Sequence, residues 1–379
     1  MHVIFLLLII ALLCGSLLSL SSNPHWFVRG WDFPRVQIVA IAIAIYLLHR
    51  ATDQWLAPSA TPVSWAIGLL TLSLVVWHLC RIAPYTPLTP TQAKAFDPTG
   101  CQSTTLDDSH LRVLLSNVKL ENDHYDRWCQ VVRAAQPDIL VALEVDEKWI
   151  QAIEPLIDEF PYQVLQPQDN WYGMMMLSRL PIESHQVCRV VQEDVPSIDA
   201  LIRMKNGQKV RLVAVHPRPP EPIRDNDSTA RDAELVLWGE ELKQDLGPVI
   251  IGGDLNDVAW SQTTRLFLRT SGLLDPRRGR GLFSTFHADH WWMRFPLDHI
   301  FHSPHFTLRG LERLPHVGSD HFPILIDLQF QPERHYEHEV LEEKESDAEE
   351  AEERLERAEE DDQMKAEPID HPQQQAATQ

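Results

Sequence analysis

The sequence predicts a mixed α/β domain between His110 and Phe330, preceded by apolar helices that insert in a membrane. Three observations lead there. Short apolar runs alternate with polar, helix-like segments through that region, the pattern of strands and helices sharing one core. Polar side chains of a few chemically useful types stand where the apolar runs end. The region before His110 carries three apolar stretches, and a charged tail follows Phe330.

The apolar stretches come first in the chain. Val3 to Leu20 is uncharged over 18 residues, which as a helix reaches about 27 Å, close to the hydrocarbon thickness of a bilayer. Val63 to Cys80 has the same length, with Trp65 and Trp77 near its ends as interfacial anchors. Val36 to Leu48 is shorter and framed by Arg35 and Arg50, so it is expected to tilt, to snorkel its arginines or to lie re-entrant. A cleaved signal peptide fits less well, because no basic stretch precedes the first segment and two more segments follow. With three spans, Arg29, Arg35, Arg81 and Lys94 place the C-terminal domain in the cytoplasm, and a bacterial inner membrane is the expected location.

Residues 1–82 are therefore assigned to the membrane region and 83–109, rich in Pro, Thr, Asp and Gln, to a linker. Residues 110–330 form the catalytic domain and 331–379 an acidic, disordered tail. The tail holds 18 acidic against 5 basic residues, more than half of the net charge of −21. What remains is mildly acidic and gives no sign of the basic face of a nucleic-acid binder. Five cysteines without zinc spacing favour no redox compartment, and no internal repeat is visible.

Within the domain the strand-like runs are Leu111–Leu115, Ile139–Leu143, Met174–Leu177, Ala200–Met204, Val210–Val215, Val249–Ile251, His299–Phe301 and Ile324–Leu328. Asp123–Ala135, Asp232–Asp245 and Ser261–Thr270 read as helices. Two packed sheets with helices outside, or one sheet covered on both faces, both fit this order.

The run ends carry the chemistry. Asn117, Glu144, His216, Asp254 with Asn256, Asp298 with His299, and Asp320 with His321 each follow or precede an apolar run. Strand ends with departing loops are where side chains converge on a rigid scaffold. Singly, each has an ordinary reading: Glu144 a surface carboxylate, Asp254 and Asn256 an Asx-turn after Gly252 and Gly253, Asp320 and His321 a turn. Together, carboxylates, asparagines and histidines at so many run ends in one domain point to a site.

The order Asn117, Glu144, "LSRLPI", His216, "GDLN", "PLDH" and "GSDHFP" resembles the endonuclease/exonuclease/phosphatase superfamily, the group containing DNase I and the abasic-site endonucleases. "HPRPP", "RDAEL", "SGLLDP" and "STFHAD" resemble a membrane-anchored bacterial branch of it. The resemblance implies a four-layer α/β/β/α sandwich, here behind transmembrane helices, and a magnesium or manganese ion as cofactor. It implies Glu144 as principal metal ligand, helped by Asp320 and Asn117, with hard oxygens suited to such ions. Asp254 then orients or deprotonates the attacking water, and Asn256 and Asn117 contact phosphate. His321 acts at the phosphate, oriented by Asp298, and His216 serves the leaving oxygen.

Two features depart from the family pattern. Lys119 stands where many members carry an acidic metal residue, which favours one principal metal. No acidic partner for His216 is visible near Tyr172 and Gly173, and Tyr172 is either a phosphate contact or a strand-edge aromatic. Arg218, Arg231 and Arg265 are further phosphate-clamp candidates, and His287 is a candidate neighbour of the same pocket. Trp291 and Trp292 stack a base, contact lipid or pack. Three readings of function stand. The first is a phosphodiesterase or phosphatase acting on a small or membrane-associated phosphate ester, such as a lipid head group. The second is a nuclease using the basic cluster Arg277, Arg278 and Arg280, and the third is a non-catalytic membrane-tethered binding module.

Overall fold

A computed structural model describes residues 2–56, 61–98, 108–222 and 227–369. The domain is mixed α/β with two sheets. One is six-stranded in the order β10-β11-β1-β2-β4-β3, the other five-stranded in the order β5-β6-β7-β8-β9. The strands are β1 His110–Asn117, β2 Ile139–Leu143, β3 Tyr162–Gln166, β4 Met174–Ser178, β5 Ile182–Cys188, β6 Ser197–Arg203, β7 Lys209–Val215, β8 Val249–Asp254, β9 Asp298–His302, β10 Phe306–Arg313 and β11 Ile324–Phe330. All eight strands read from the sequence are present. The three missed, β3, β5 and β10, are sheet edges.

Alternation sorts each central strand between two cores. Val113 and Leu115 of β1, Ile139, Val141 and Leu143 of β2, and Leu212 and Ala214 of β7 meet in a core between the sheets. Leu114, Leu140 and Ala142 face the other way, under Trp128, Val132 and Trp149. Those come from helices α5, Tyr125–Ala135, and α6, Glu147–Ala152. Val213, Val215 and Ile251 face Leu235, Trp238 and Phe267 on the far side of the second sheet. These belong to α8, Thr229–Gln244, and α9, Gln262–Ser271, while α7, Glu154–Ile157, is a single turn. Both sheets are thus covered on both faces, which is why their central strands read as unbroken apolar runs.

The N-terminal region forms three helices: α1 His2–Leu18, α3 Arg35–Leu56 and α4 Pro62–Ile82, with the short α2 Trp26–Arg29 between the first two. The middle segment, expected to be too short to span simply, lies in the longest of them at 22 residues. Its helix continues through His49, Arg50 and Asp53, where Arg50 pairs with Asp53 at 3.2 Å. Two of these helices are long and apolar enough to cross a membrane, and α1 is a shorter apolar helix. They pack on one another through Phe5, Ile9, Ile38, Ala42, Ile67 and Leu74. Their outward residues, among them Leu7, Leu47, Leu69 and Leu72, stay exposed.

The bundle is docked on the domain by one end. Tyr85 donates from its hydroxyl to the Ala259 carbonyl at 2.5 Å, Trp260 from its indole to the Asp32 carbonyl at 2.7 Å, and Gln262 to the Ser19 carbonyl at 2.8 Å. The stretch expected to be a linker is packed as far as it is described. Gln92 and Ala93 are buried, and Phe96 donates its N–H to the Leu308 carbonyl beside edge strand β10. Apolar periodicity is not needed for this, because the chain there adds to a sheet edge through its backbone. Residues 99–107 lie outside the described residues.

The tail also departs from expectation. Its helix α10, Asp347–Glu359, lies on α8 and α9 with Ala351, Arg354 and Ala358 buried. Arg269 of α9 holds Asp347 in a bidentate pair at 2.7 Å. Few apolar residues suffice because Ala351, Leu355 and Ala358 fall at helical spacing on one face, and the pair with Arg269 fixes the first turn. Residues 370–379 lie outside the described residues.

Candidate active site

The β1, β2 and β8 ends converge across the gap between the sheets. β1 and β2 run parallel, as do β7 and β8, so Asn117, Glu144, His216 and Asp254 leave at the same edge. Asp298 opens β9, antiparallel to β8 and directly opposite Asp254. His321 stands just before β11, antiparallel to β1. Gly253 is required by this crossing: a Cβ there would meet the Val215 carbonyl oxygen at 1.7 Å.

Asn117 bridges two carboxylates. Its Nδ2 donates to Glu144 Oε1 at 2.7 Å and to Asp254 Oδ2 at 3.1 Å. Glu144, in the left-handed region at φ 64°, also accepts the Leu120 N–H at 3.2 Å. Burial raises its pKa. Among the described residues no basic side chain pairs with it, which leaves a half-buried hard-oxygen donor suited to a divalent cation. Asp320 is less available: its carboxylate takes the Lys119 ammonium at 3.2 Å. Lys119 therefore does more than remove an acidic ligand, since it also occupies the neighbouring one. Asp254, Asp298 and His321 form a second set of ligand-type atoms within 4.8 Å of one another. Within that set His321 Nδ1 and Asp298 Oδ2 already satisfy each other at 2.7 Å.

The His321–Asp298 dyad, Asp254 and His216 form a buried cluster of titratable groups. His321 Nε2 lies 3.5 Å from Asp254 Oδ2, and His216 Nε2 lies 3.9 Å from the same oxygen. Burial opposes charge on His321, but the Asp298 and Asp254 carboxylates outweigh it and raise its pKa to about 10. Burial raises Asp254 to about 7 against the pull of His321. Burial pushes His216 down to about 4, helped by His321. The two imidazoles are thus set apart, one cationic and one neutral at pH 7. His216 Nδ1 and Asp298 Oδ1 are buried without a hydrogen-bond partner among the described residues.

The remaining candidates divide. Asn256, at φ 50°, closes the Asx-turn by donating its N–H to Asp254 Oδ1, and its side chain donates to the Pro217 carbonyl at 3.0 Å. Tyr172 is buried with its ring 5.5 Å from that of His216, and Arg218 lies over the same ring while pairing with Asp194 at 2.6 Å. Arg231 is no free clamp: it is buried, paired with Asp232, and donates to the Asn256 carbonyl at 2.9 Å. Arg265 bonds the Ser261 carbonyl on α9 and is not brought to the site. The basic cluster is likewise spent. Arg277 is buried against Asp275, Arg280 donates to the Pro276 and Ala93 carbonyls, and Arg278 lies over Tyr85. His287 stacks on Phe286, whose ring lies 4.9 Å from His321.

Sequence reasoning missed the positioning role of Arg231 and the wall formed by Phe286. The signal for the first was weak, an Arg-Asp pair opening a helix, and for the second there was none.

A family model described as the endonuclease/exonuclease/phosphatase family matches residues 114–321, more than half of the chain. No curated protein matches. Similar solved structures include D. rerio TDP2 complexed with a single-strand DNA product, at 17% identity over 59% of this chain and 100% of that one, with a TM-score of 0.49. A Bacteroides vulgatus endonuclease/exonuclease/phosphatase gives 17%, 59%, 99% and 0.48. The human Nocturnin catalytic domain with bound sulfate gives 18%, 59%, 96% and 0.48.

Proposed function

The chain belongs to the endonuclease/exonuclease/phosphatase family, and we propose that it is a membrane-anchored, divalent-metal-dependent phosphoesterase. The carrying observation is the meeting of Asp254 with the His321–Asp298 dyad, His216 and the Asn117–Glu144 pair at one sheet edge.

A phosphodiester resists attack because it is anionic. Glu144, helped by Asn117 and Asp320, would hold a divalent ion, which would supply charge neutralisation at the phosphate and lower the pKa of an attacking water. Asp254 receives the water's proton, its raised pKa making it the stronger acceptor. His321, held cationic by Asp298, faces the developing phosphate charge. Asn256 donates to a phosphate oxygen. His216, neutral and buried, orients or protonates the leaving oxygen, with Tyr172 and Arg218 lining that side.

The anchor is the three-helix bundle. Its outward apolar residues, among them Leu7, Leu47, Leu69 and Leu72, form an exposed belt of the kind that marks a membrane or partner contact. Arg29, Arg35, Arg81 and Lys94 lie toward the docked end, which supports a cytoplasmic domain on a three-span anchor of a bacterial inner membrane.

The test is hydrolysis of phosphate esters by the purified full chain in detergent, with magnesium or EDTA. Asp254→Ala and His321→Ala are each expected to lose at least about 10²-fold with folding intact. Near wild-type rates for both would overturn the mechanism.

A further inference from the structure

We infer that the hairpin from Phe286 to Phe295 inserts its tip in the bilayer interface and that the site takes the phosphodiester of a membrane lipid. This rests on the membrane-anchored phosphoesterase reading above and names its substrate class.

The hairpin is closed at its base by an antiparallel bridge between Phe286 and Phe295. His287 donates its N–H to the Met293 carbonyl at 3.0 Å and Met293 to the His290 carbonyl at 2.9 Å, which tightens the tip. The base is wired to the site. The Phe286 ring packs tilted against that of His321 at 4.9 Å, and Ala288 donates its N–H to the Asp320 carbonyl at 2.6 Å. The tip carries Trp291 and Trp292, 79% and 56% exposed. Core packing, the ordinary fate of such residues, is therefore not theirs.

The tip also has an address. Gln37, in the first turn of α3, donates from its side chain to the Trp292 carbonyl at 2.9 Å. On α3 the exposed apolar surface begins at Val36 and continues through Ile41 and Ile43. The two tryptophans thus stand level with the start of a span, at the depth where indole rings partition. Phe27, exposed near the same end of the bundle, shares that level, and exposed Trp65 near the start of α4 marks the opposite one. Phe33 packs edge-on against Phe295 at 5.7 Å, which fixes the hairpin against the segment leading into α3.

A strip from bilayer to His321 follows, aromatic at its tip and at its base, where Phe286 meets His321. A lipid head group lifted along it presents its phosphorus to the dyad while its acyl chains stay in the membrane. The step is a hydrolysis that consumes one water. The water oxygen bonds to phosphorus, the bond from phosphorus to one alcohol oxygen breaks, and that oxygen takes a proton.

The full chain in nanodiscs of phosphatidylglycerol and phosphatidylethanolamine, doped with a phosphatidylcholine bearing a diazirine next to its head group, tests this. Photolabel is expected on peptides of α3 and α4 and on the peptide spanning 288–294. Trp291→Ser with Trp292→Ser, which keeps the Trp292 backbone acceptor, is expected to slow hydrolysis of the nanodisc lipids at least about tenfold. The rate on bis(4-nitrophenyl) phosphate in the same samples is expected to stay within about twofold. Label on the helices but none at 288–294 overturns the inference and spares the anchor. Equal losses on both substrates, no loss on either, or cleavage of plasmid DNA in preference to lipid also overturn it. Absence of label from α3 and α4 overturns the anchor itself, and hydrolysis of neither lipid nor diester overturns the phosphoesterase reading.

Discussion

Replacing Asp298 by Asn isolates the dyad. The substitution keeps shape but removes the charge 2.7 Å from His321 Nδ1. His321 sits at about 10 rather than its ordinary 6.5, a preference for the cation of about 5 kcal/mol shared between two carboxylates. With Asp298 neutral, burial acts more nearly unopposed and the imidazole deprotonates at least about two units lower. The wild type should gain activity as pH rises through about 7, where Asp254 becomes able to accept a proton, and hold it until pH rises through the His321 value. Asp298→Asn should lose about 10²- to 10⁴-fold near neutrality, with its alkaline limb shifted to lower pH. The assay is the rate of hydrolysis of a soluble diester by the full chain in detergent from about pH 5 to 10. A variant within about threefold of wild type, or one whose loss is the same at every pH, would refute the argument that Asp298 keeps His321 charged.

Glu144→Gln should leave melting nearly unchanged in EDTA and weaken magnesium or manganese binding at least about tenfold, read by calorimetric titration; unchanged affinity would move the ion to the Asp254 set. Glu234, buried on α8 and accepting the Ser197 hydroxyl at 2.9 Å, is raised by burial from 4.5 to about 7. Its neutral form favours the fold, so that stability is present below 4.5 and lost as pH rises through about 7. Glu234→Gln should remove this dependence, so its melting-temperature gain over wild type should be larger at about pH 8.5 than at about pH 5, corresponding to about 3 kcal/mol. Arg269→Ala breaks the bidentate hold on Asp347 and should speed amide exchange in α10 at least about tenfold while leaving α8 protected, measured by hydrogen exchange.

The residues of the site were legible because a strand end is a local signal. Asn117, Glu144, Asp254 and His321 each break an apolar run, and a run that is apolar on both faces names a central strand. Edge strands lack that signal. β3 and β5 are mostly exposed or half-buried, as edges must be to avoid pairing with other chains, and both escaped notice. The hold of Lys119 on Asp320, of Arg231 on the Asn256 carbonyl and of Trp260 on Asp32 all join residues on separate elements. No periodicity reports such partners. The packed tail and linker were hidden for a related reason: composition measures what a segment can bury, and α10 needs only three small or aliphatic contacts plus one arginine.

The position of β1 in its sheet has a consequence for the order of synthesis. β1 lies between β2 and β11, and His321 stands in the few residues that lead into β11. A chain still emerging from the ribosome can pair β1 with β2, yet it has neither the last strand nor the His321 imidazole. The assembled site is therefore withheld until the last residues of the domain have been made. A product cut short before His321 would lack that imidazole and leave an open apolar edge on β1, a form that quality control can recognise by that edge.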